Sequence, residues 1–493
     1  MTDLEGIAGT CGVVDKILVR RMLGKLVHRG PDSEGIYSDD RLALGARASK
    51  GRTREKVRAV AETDGLAIAA DCYIFNGDVL KENFLEDSDE DATDADLLLS
   101  MYRAAGTSMF SYLDGAYAIA VSDHGRLVLA RDRYGLKPLY ISRKPAWLSF
   151  SSEMKSQLVS CEEFVPFPPG RVMVDGKRPF ATRLRRIPRV RPRESDSKPS
   201  HLHDLVLASV RSCRTGPRMN VLLSGGIDSS VVAEAAAEVA GKVTTVCVGT
   251  DESEDLKMAR GVANRLGTEH IEKVYGTEEM VDSLRDVIYA AESFDHPLIR
   301  SCIPNFMATH AFPDRRDVTL CGEGGDEIFA GYDYMRKIRT DAELARERRR
   351  LLRDGWITGF QRVDRMTASA SLDGRMPLMS AAVIDFGLSL RRQELIGPRV
   401  QDSKLMLRKA FEHDLPKEVV WRRKQRFSDG AGSIRSLVAV ADKMVSDKEF
   451  EKGRKALPRG RIRTKEELLY YRIFAELFPC DSAAIAVGIT PRP

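Results

Sequence analysis

The feature that most constrains the fold is an alternation of short apolar strands, glycine-containing turns and helices that begins near His201. Residues 221–223 form a short apolar run, SGGIDSS follows at 224–230, and the alanine-rich stretch 229–240 is typical of a helix. The further expected strands are 243–248, 270–274 and 318–321, and the further expected helices are 256–266 and 281–291. Strands that alternate with helices in this way predict a parallel sheet with helices on both faces. From about Tyr334 onward the pattern is mainly helical.

The first part of the chain, to about Val174, has a different rhythm. Short runs with alternating or β-branched residues are separated by turn residues, which predicts a β-rich sandwich with few helices. Repeated prolines and like charges at 183–200 predict an exposed connector. We therefore expect an N-terminal domain over residues 1–182, a linker over 183–200 and a C-terminal domain over 201–493.

Composition excludes several classes of protein. Over 493 residues, 43% are hydrophobic and 30% are charged, which is typical of a globular chain and not of a collagen-like or disordered one. The formal net charge of +5 is too small at this length to predict a nucleic-acid partner. No apolar run approaches the roughly 20 residues of a membrane helix, and the first residues do not resemble a secretory signal. The expected location is the cytoplasm, where the eight cysteines would be reduced.

Two further stretches have a plain and a functional interpretation. The basic run RERRRLLR, which contains residues 346–350, fits a solvated helix face better than a nucleic-acid site. His201 and His203 could bind a metal, but no other ligand lies near them in the sequence, and we interpret them as surface residues.

The segment SGGIDSS has the chemistry of an anion cradle between a strand and a helix. Paired glycines let backbone amides approach an anion closely, and the helix start adds positive dipole character. The hydroxyls add donors, whereas Asp228 would repel a phosphate unless a cation such as Mg2+ lies between them. The Walker pattern is absent, and the alternative is a glycine turn that only caps the helix. The candidate nucleotide-binding residues are Ser224, Gly225, Gly226, Asp228, Ser229 and Ser230.

A second glycine-rich, acidic loop, GEGGDE at 322–327, also follows an apolar strand. Loops at the carboxyl ends of neighbouring parallel strands converge on one crevice, so Asp326 should meet Asp228 around one Mg2+ ion. Glu323 should lie nearer the reacting carbon. The alternative is a solvated acidic turn.

The ordered set of motifs resembles the glutamine-dependent asparagine synthetase family over nearly the whole chain. The synthetase-like segments are SGGIDSS, SEDLKMARGVANRLGT (253–268), CGEGGDEIFAGY (321–332), VDRMTASASLDGRMP (363–377) and RRKQRFSDGAG (422–432). The glutaminase-like segments are HRGPDSEG (28–35), RDRYGLKPLY (131–140) and SSEMKS (151–156). The resemblance implies an α/β protein with an N-terminal Ntn-hydrolase-like αββα sandwich. It also implies a C-terminal ATP-pyrophosphatase domain of the adenine nucleotide alpha hydrolase-like type, and a homodimer.

By this resemblance, the 224–230 segment holds the pyrophosphate end of ATP, and Asp228 and Asp326 bind magnesium. Val248 and Gly322 are expected adenosine-pocket positions, and Lys424 would neutralise charge as pyrophosphate leaves. Glu323 matches a glutamate beside the attacking amine, where a carboxylate base is useful. The implied catalytic residues are therefore Glu323, Lys424 and Asp228, and the implied reaction is adenylation of a carboxylate followed by capture with an amine.

The resemblance also shows what the N-terminal domain lacks. Glu5 stands where the family has its nucleophilic cysteine, and Asp71, Cys72 and Tyr73 replace the Asn-Gly-Glu that serves the oxyanion and the glutamine amine. An aspartate aimed at a developing oxyanion would raise the barrier. We expect an inactive glutaminase domain that is kept for folding or assembly. The alternative is a pocket with a new binding role.

The expected substrates are a small carboxylic acid and ammonia. Relatives that close a β-lactam ring have tyrosine at the position of Glu323, so the retained glutamate favours external ammonia and aspartate as the acid. Arg300 and Asp373 are the candidate substrate-binding residues, although Cys302 and Ile303 make the stretch less polar than in the family. The alternatives are another acid or amine, a β-lactam or macrolactam cyclase, and a non-catalytic nucleotide-binding scaffold.

Overall fold

A computed structural model describes residues 3–50, 59–85, 92–182, 197–399, 402–423, 434–458 and 460–490, without the side chains of residues 3–5 and 434–435. Twelve strands and four α-helices build the N-terminal part within these limits. The strands are β1 Asp3–Cys11, β2 Ser33–Ser38, β3 Leu42–Ser49, β4 Val60–Thr63, β5 Leu66–Ile74, β6 Gly115–Asp123, β7 Arg126–Arg131, β8 Tyr140–Lys144, β9 Trp147–Ser151, β10 Val165–Pro166, β11 Arg171–Val174 and β12 Phe180–Ala181. The helices are α1 Lys16–Gly24, α2 Gly77–Phe84, α3 Asp94–Ala105 and α4 Met154–Gln157, with a 3-10 turn at Gly106–Ser111.

All strand pairs in the N-terminal part are antiparallel, and β1 joins three of them. It pairs along its length with β3, while its other edge pairs first with β5 and, from Ala8 onward, with β9. The helices α1 and α3 pack against β1 and β5, respectively. This arrangement confirms the predicted β-rich sandwich.

A parallel sheet forms the centre of the C-terminal part, with the strand order β15-β14-β13-β16-β17. Its strands are β13 Arg218–Leu222, β14 Lys242–Gly249, β15 Glu269–Val274, β16 Thr319–Leu320 and β17 Gly374–Arg375. The predicted α/β class and four of these strands are confirmed. The short β17 was not expected from the sequence, because two residues carry no periodic signal.

Helices surround this sheet and then form the remainder of the chain. Those before the last strand are α5 Lys198–Ser212, α6 Ile227–Val239, α7 Glu254–Leu266, α8 Thr277–Asp282, α9 Leu284–Ala291, α10 His296–His310, α11 Gly325–Phe329, α12 Asp341–Asp354 and α13 Gly359–Ser369. Those after it are α14 Ala381–Ser389, α15 Arg392–Leu395, α16 Leu405–Ala410, α17 Lys417–Val420, α18 Ile434–Met444, α19 Asp447–Gly453, α20 Lys465–Leu477 and α21 Asp481–Ala486. Single 3-10 turns lie at Asp333–Lys337, Gly355–Ile357 and Pro377–Met379.

Two helical predictions need correction. The helix expected over 281–291 is two helices that meet at the buried Ser283, whose Oγ donates a hydrogen bond to the carbonyl of Met280. Serine side chains compete with the helical ladder in this way. The interpretation of the basic run as solvated is wrong for Arg348, which is 1% exposed and donates hydrogen bonds to the carbonyls of Ile328 and Gly387.

The N-terminal and C-terminal parts share apolar packing. The largest hydrophobic cluster contains the whole C-terminal core and also Tyr73, Leu136, Tyr140 and Met154 from the N-terminal part. Residues 183–196 of the expected linker lie outside the described residues, and α5 begins at Lys198, inside the expected linker. The domain limits therefore stay a prediction.

None of the helices in the described part of the chain has the length and apolar character needed to cross a membrane.

Candidate active site

The two glycine-rich loops meet at the carboxyl edge of the parallel sheet. The first follows β13, the central strand, and the second follows its neighbour β16. Val248 lies near the end of β14 on the other side of β13, and it is buried. Gly322 lies so close to the start of α6 that a Cβ atom there would be 2.6 Å from the backbone of Asp228. The predicted convergence is thus present in the structure.

The loop at 224–230 is shaped by its glycines and serines. Two observations explain why residue 225 is glycine. Gly225 has a φ of +66°, which favours glycine, and a Cβ atom at this position would lie 2.5 Å from Cβ of Met258. The Oγ atoms of Ser224 and Ser229 lie 3.1 Å apart, and the backbone N–H of Ser224 donates to Oγ of Ser229. Gly226 precedes α6 without a side-chain cap among the described residues, which leaves the first amides of α6 for an anion.

Asp228 and Asp326 face one common position, which a lysine ammonium occupies. Lys404 Nζ lies 2.6 Å from Oδ1 of Asp326 and also pairs with Oδ2 of Asp228. Oδ1 of Asp228 is buried and accepts no hydrogen bond from the described residues. Two carboxylates that reach one cation, one of them with a lone oxygen, are a donor set that fits Mg2+.

Lys404 is a residue that the sequence reasoning missed. Its side chain is 1% exposed, and it stands immediately before α16 with a left-handed φ of 56°. It is separated from Asp228 by 176 residues, and nothing in the surrounding SKLMLRKAF marks it as functional. The role of Lys404 can be recognised only from its tertiary contact with Asp228 and Asp326.

Glycines in and after the second loop make this close approach possible. A Cβ atom on Gly325 would lie 2.4 Å from Oδ1 of Asp228, and one on Gly331 would lie 1.9 Å from Oδ1 of Asp326. Real Cβ atoms essentially never approach so closely, so both positions admit only glycine in this arrangement. Contact with the carboxylates of Asp228 and Asp326 thus explains the glycines at 325 and 331.

Glu323 is held by Arg362 of α13. The Arg362 guanidinium donates to Oε2 of Glu323, and Gly359 leaves room beside Oε1, where a Cβ atom would be 2.9 Å away. Both side chains are mostly buried, at 13% and 15% exposed, respectively. Further along the loop, burial and the carboxylates of Glu323 and Asp326 raise the pKa of Glu327 to about 7. Arg362 is a second residue that the sequence reasoning missed.

The two candidate substrate-binding residues have partners inside the protein. Arg300 of α10 pairs through two nitrogens with Glu466 of α20, with Nε 3.0 Å from Oε1. Asp373 pairs with Arg375, whose Nε lies 2.6 Å from Oδ2. A substrate carboxylate would have to displace Glu466 in order to reach Arg300. Their roles stay predictions.

The side chains of two predicted site residues, Lys424 and Glu5, lie outside the described part of the structure. Lys424 lies outside the described residues, and the segment before it is fastened by Arg422, whose Nη2 lies 2.8 Å from Oδ1 of Asp255. The side chain of Glu5 is likewise outside the described part. Its backbone in β1 pairs directly opposite Asp71 of β5.

Eight buried charged side chains meet where the N-terminal and C-terminal parts touch, and we call them the interdomain charge cluster. Each is at most 5% exposed. The four cations are Arg29, Lys137, Lys155 and Arg365, and the four carboxylates are those of Asp71, Glu153, Glu292 and Asp364. The described cluster is therefore balanced in charge, which is the condition under which buried ions are tolerated.

Asp71 is a central member of the interdomain charge cluster. One of its oxygens lies 2.9 Å from Nζ of Lys137 and the other lies 3.0 Å from Nη1 of Arg29. Burial raises the pKa of Asp71, and the Lys137 and Arg29 cations act against that shift. Arg29 also pairs with Asp364 of α13, 335 residues away in the chain. The side chain at the expected oxyanion position thus holds Arg29 and Lys137, the two cations that also pair with Asp364 of the C-terminal part.

The next two substituted positions point to opposite faces of β5. Cys72 packs in the N-terminal core, where burial holds the pKa of its thiol well above the ordinary value. Tyr73 packs in the shared core, and its hydroxyl accepts a hydrogen bond of 3.2 Å from the backbone N–H of Met376. This alternation follows from the two-residue period of a strand. Asp71 and Tyr73 therefore both serve the interdomain contact.

Comparisons with known proteins cover both parts of the chain. The family model for asparagine synthase matches residues 201–360 and 354–487, and the model for the glutamine amidotransferase domain matches residues 4–166. Glutamine-hydrolysing asparagine synthetase 2 of Oryza sativa subsp. japonica is 31% identical over 98% of this chain and 87% of that protein. Glutamine-hydrolysing asparagine synthetase B of Escherichia coli (strain K12) is 30% identical over 93% of this chain and 88% of that protein.

The solved structures that match are distant. The allosteric regulatory enzyme of purine biosynthesis is 16% identical with a TM-score of 0.33, over 55% of this chain and 80% of that chain. NMN synthetase from Francisella tularensis is 12% identical with a TM-score of 0.29, over 60% of this chain and all of that chain. Scores at this level carry no argument about the site.

Proposed function

The chain belongs to the asparagine synthetase family, and on that premise we propose that it is an ATP-dependent carbon–nitrogen ligase that forms AMP and pyrophosphate. Its proposed reaction converts aspartate and ammonia to asparagine, without glutamine as the nitrogen source. The observation that carries the ligase proposal is the meeting of Asp228 and Asp326 at one cation position beside the open amides of α6.

In the first step a substrate carboxylate oxygen attacks the α-phosphorus of ATP. The bond between the α-phosphorus and the bridging oxygen breaks, pyrophosphate leaves and an acyl-adenylate forms. The 224–230 loop supplies serine hydroxyls and helix-start amides to the departing pyrophosphate. Asp228 and Asp326 would hold Mg2+, which neutralises phosphate charge when bound. Before the nucleotide binds, Lys404 pairs with both carboxylates and keeps them close together. Lys424 is the proposed partner of the departing pyrophosphate.

In the second step ammonia attacks the acyl carbon and AMP leaves. The nitrogen must lose a proton as the amide forms, and Glu323 is the proposed base. The ion pair with Arg362 orients the Glu323 carboxylate at the carboxyl edge of the sheet. A mostly buried position also limits the access of water to the acyl-adenylate.

The proposal that glutamine is not the nitrogen donor is supported by the interdomain charge cluster. With two cations within 3.0 Å of its oxygens, the Asp71 carboxylate acts as a hydrogen-bond acceptor. An oxyanion needs a donor at that position. Cys72 faces the core with a raised pKa and cannot substitute for the missing nucleophile. The glutaminase-like fold is therefore proposed to stabilise the synthetase part.

The first prediction tests both parts of this proposal in one assay. With ATP, Mg2+ and aspartate, pyrophosphate release should saturate with ammonium and yield asparagine. Replacing ammonium with glutamine should lower the product by at least about a hundredfold, because both the nucleophile and the oxyanion donor are absent. The measurement is pyrophosphate release together with chromatography of asparagine and glutamate. Glutamate formed in step with asparagine would refute the ammonia proposal and leave the ligase proposal standing.

A second candidate is the same ligase chemistry on a different carboxylic acid. The observation in its favour is that Arg300, the proposed anchor for aspartate, is held by Glu466. A panel of acids in ATP–pyrophosphate exchange distinguishes the two. Aspartate should give the fastest exchange. Exchange that is faster with a larger, less polar acid would establish the second candidate, and no exchange with any acid would favour a nucleotide-binding scaffold.

The second prediction concerns Glu323. The substitution Glu323→Gln should slow amide formation by about 10²–10⁴-fold, which is the usual contribution of a general base. ATP–pyrophosphate exchange should remain, because it reports only the first step. Glu327→Gln is the matched control on the same loop, since the pKa of Glu327 is raised to about 7 and a neutral amide resembles its protonated form. Equal loss of exchange and amide formation in Glu323→Gln would contradict the assignment.

A further inference from the structure

His203 lies beside two carboxylates that are distant in the sequence. It belongs to α5, Glu234 belongs to α6, and Asp414 lies between α16 and α17. One ligand atom from each residue can be chosen such that all three lie within 4.8 Å of one another. It is the only cluster of three or more potential metal ligands found within the residues that the structure describes. His203, interpreted from the sequence as a surface residue, thus has two potential metal ligands near it in space.

One carboxylate oxygen of Glu234 has no hydrogen-bond partner among the described residues. Its side chain is 8% exposed, and this oxygen, Oε2, is buried. Buried carboxylate oxygens are nearly always satisfied, because leaving one unpaired costs free energy. Burial, together with the carboxylates of Asp414 and Glu238, raises the pKa of Glu234 to about 7. A cation placed among these three side chains would satisfy the lone oxygen.

The position of the histidine ring is fixed by packing. The imidazole of His203 lies against Phe411, with the ring centroids 4.6 Å apart and an interplanar angle of 35°. In this orientation Nε2 lies 3.7 Å from Oδ2 of Asp414. The helices α5 and α6 pack against each other, and so do α5 and α16. The three ligands are thus carried by elements that already contact one another.

We propose that His203, Glu234 and Asp414 bind one divalent transition-metal ion, with Zn2+ as the best match. One imidazole nitrogen with two carboxylate oxygens is a ligand set suited to Zn2+, whereas Ca2+ and Mg2+ prefer oxygen alone. In a tetrahedral Zn2+ site, ligands about 2.0–2.2 Å from the ion lie about 3.3–3.6 Å apart. Ligand atoms up to 4.8 Å apart would therefore have to move together by roughly an ångström on binding. Three protein ligands leave a fourth position for water.

The proposed ion would connect two segments that also build the nucleotide site. Asp228 lies in the first turn of α6, and Glu234 follows six residues later, about 9 Å along the helix axis. Asp414 follows α16, and Lys404 stands immediately before that helix. The ion would therefore fasten the helix that carries Asp228 to the segment that carries Lys404, at a site separate from the two aspartates.

The test uses the full-length, tag-free protein after treatment with EDTA and dialysis. Titration with Zn2+ by calorimetry, and with Co2+ by visible absorbance, should show one equivalent bound per chain. The melting temperature should rise with added Zn2+. Glu234→Gln and Asp414→Asn should each weaken binding by more than the roughly 10–100-fold that the loss of an outer-shell partner costs.

Two histidine variants are the matched controls. His201 lies two positions earlier on α5 with its ring against Phe386, and His413 is an exposed neighbour of Asp414. His201→Gln and His413→Gln should both keep the full affinity. Glu234→Gln should fold without metal, because it removes a buried carboxylate, and its metal-free melting temperature checks this. The proposal is overturned if the wild-type protein binds no stoichiometric ion, if Glu234→Gln binds as the wild type does, or if His413→Gln abolishes binding.

Discussion

Replacing Asp228 with asparagine should lower ATP–pyrophosphate exchange by about a thousandfold, the upper range for loss of one electrostatic contact at a reacting centre. The amide has nearly the same shape, but it removes the charge that would hold a cation at the position where Asp228 and Asp326 meet. The measurement is the exchange rate with saturating aspartate and Mg2+. Glu238→Gln is the matched control, because Glu238 is an exposed carboxylate on the same helix.

A double variant makes the prediction sharper. Asp326→Asn should cost about as much as Asp228→Asn, and the variant with both substitutions should be little worse than either one. Residues that serve one shared cation act as a unit, and the effects of their loss do not add. Independent losses that multiply in the double variant would contradict a common cation position. Retention of exchange in either single variant would exclude that residue from the nucleotide site.

Replacing Asp71 with asparagine should destabilise the protein by about 3–5 kcal/mol, the usual cost of breaking a buried ion pair. The substitution would install the residue type of the related glutaminases, yet it would leave Lys137 with only the Asp364 carboxylate within 3.3 Å among the described residues. The measurement is the urea midpoint of unfolding at neutral pH, followed by fluorescence. Asp40→Asn, on an exposed aspartate of the same part of the chain, is the control.

A compensating substitution separates charge balance from shape. Asp71→Asn combined with Lys137→Met removes one charge of each sign, so the double variant should recover part of the lost stability. Neither variant should hydrolyse glutamine, because Glu5 still stands at the position of the nucleophile. A stable Asp71→Asn protein, or one that releases glutamate from glutamine, would show that the interdomain charge cluster does not explain the substitution.

The interdomain contact gives a physical reason for keeping an N-terminal domain that is proposed not to hydrolyse glutamine. Tyr73, Tyr140 and Met154 from the N-terminal part lie in the same apolar cluster as the C-terminal core. The carboxylate of Glu292 accepts hydrogen bonds from the backbone N–H groups of Met154 and Lys155, at 2.9 Å and 2.8 Å, respectively. Removing the N-terminal part would expose this apolar surface and leave buried charges without partners.

Local pattern alone determined the order of the strands β13 to β16 and the positions of both glycine-rich loops. The strand and helix limits near 221–223, 229–240 and 243–248 agree with the structure within a few residues. This part is readable because hydrophobic period and glycine spacing act over a few neighbouring residues. The replacement of glutaminase residues at 71–73 stays a prediction from the family resemblance, which compares residue types at matched positions.

Only the tertiary structure decided which charges meet. Lys404 reaches Asp228 across 176 residues, Arg300 pairs with Glu466 across 166, and Arg29 pairs with Asp364 across 335. A side-chain ion pair leaves no periodic trace in the sequence, since its partners are set by how whole helices and strands pack. The sequence therefore predicted the residue types that the proposed chemistry needs. The packing of the helices and strands determined which of these side chains pair with other side chains of the protein and which can face a ligand.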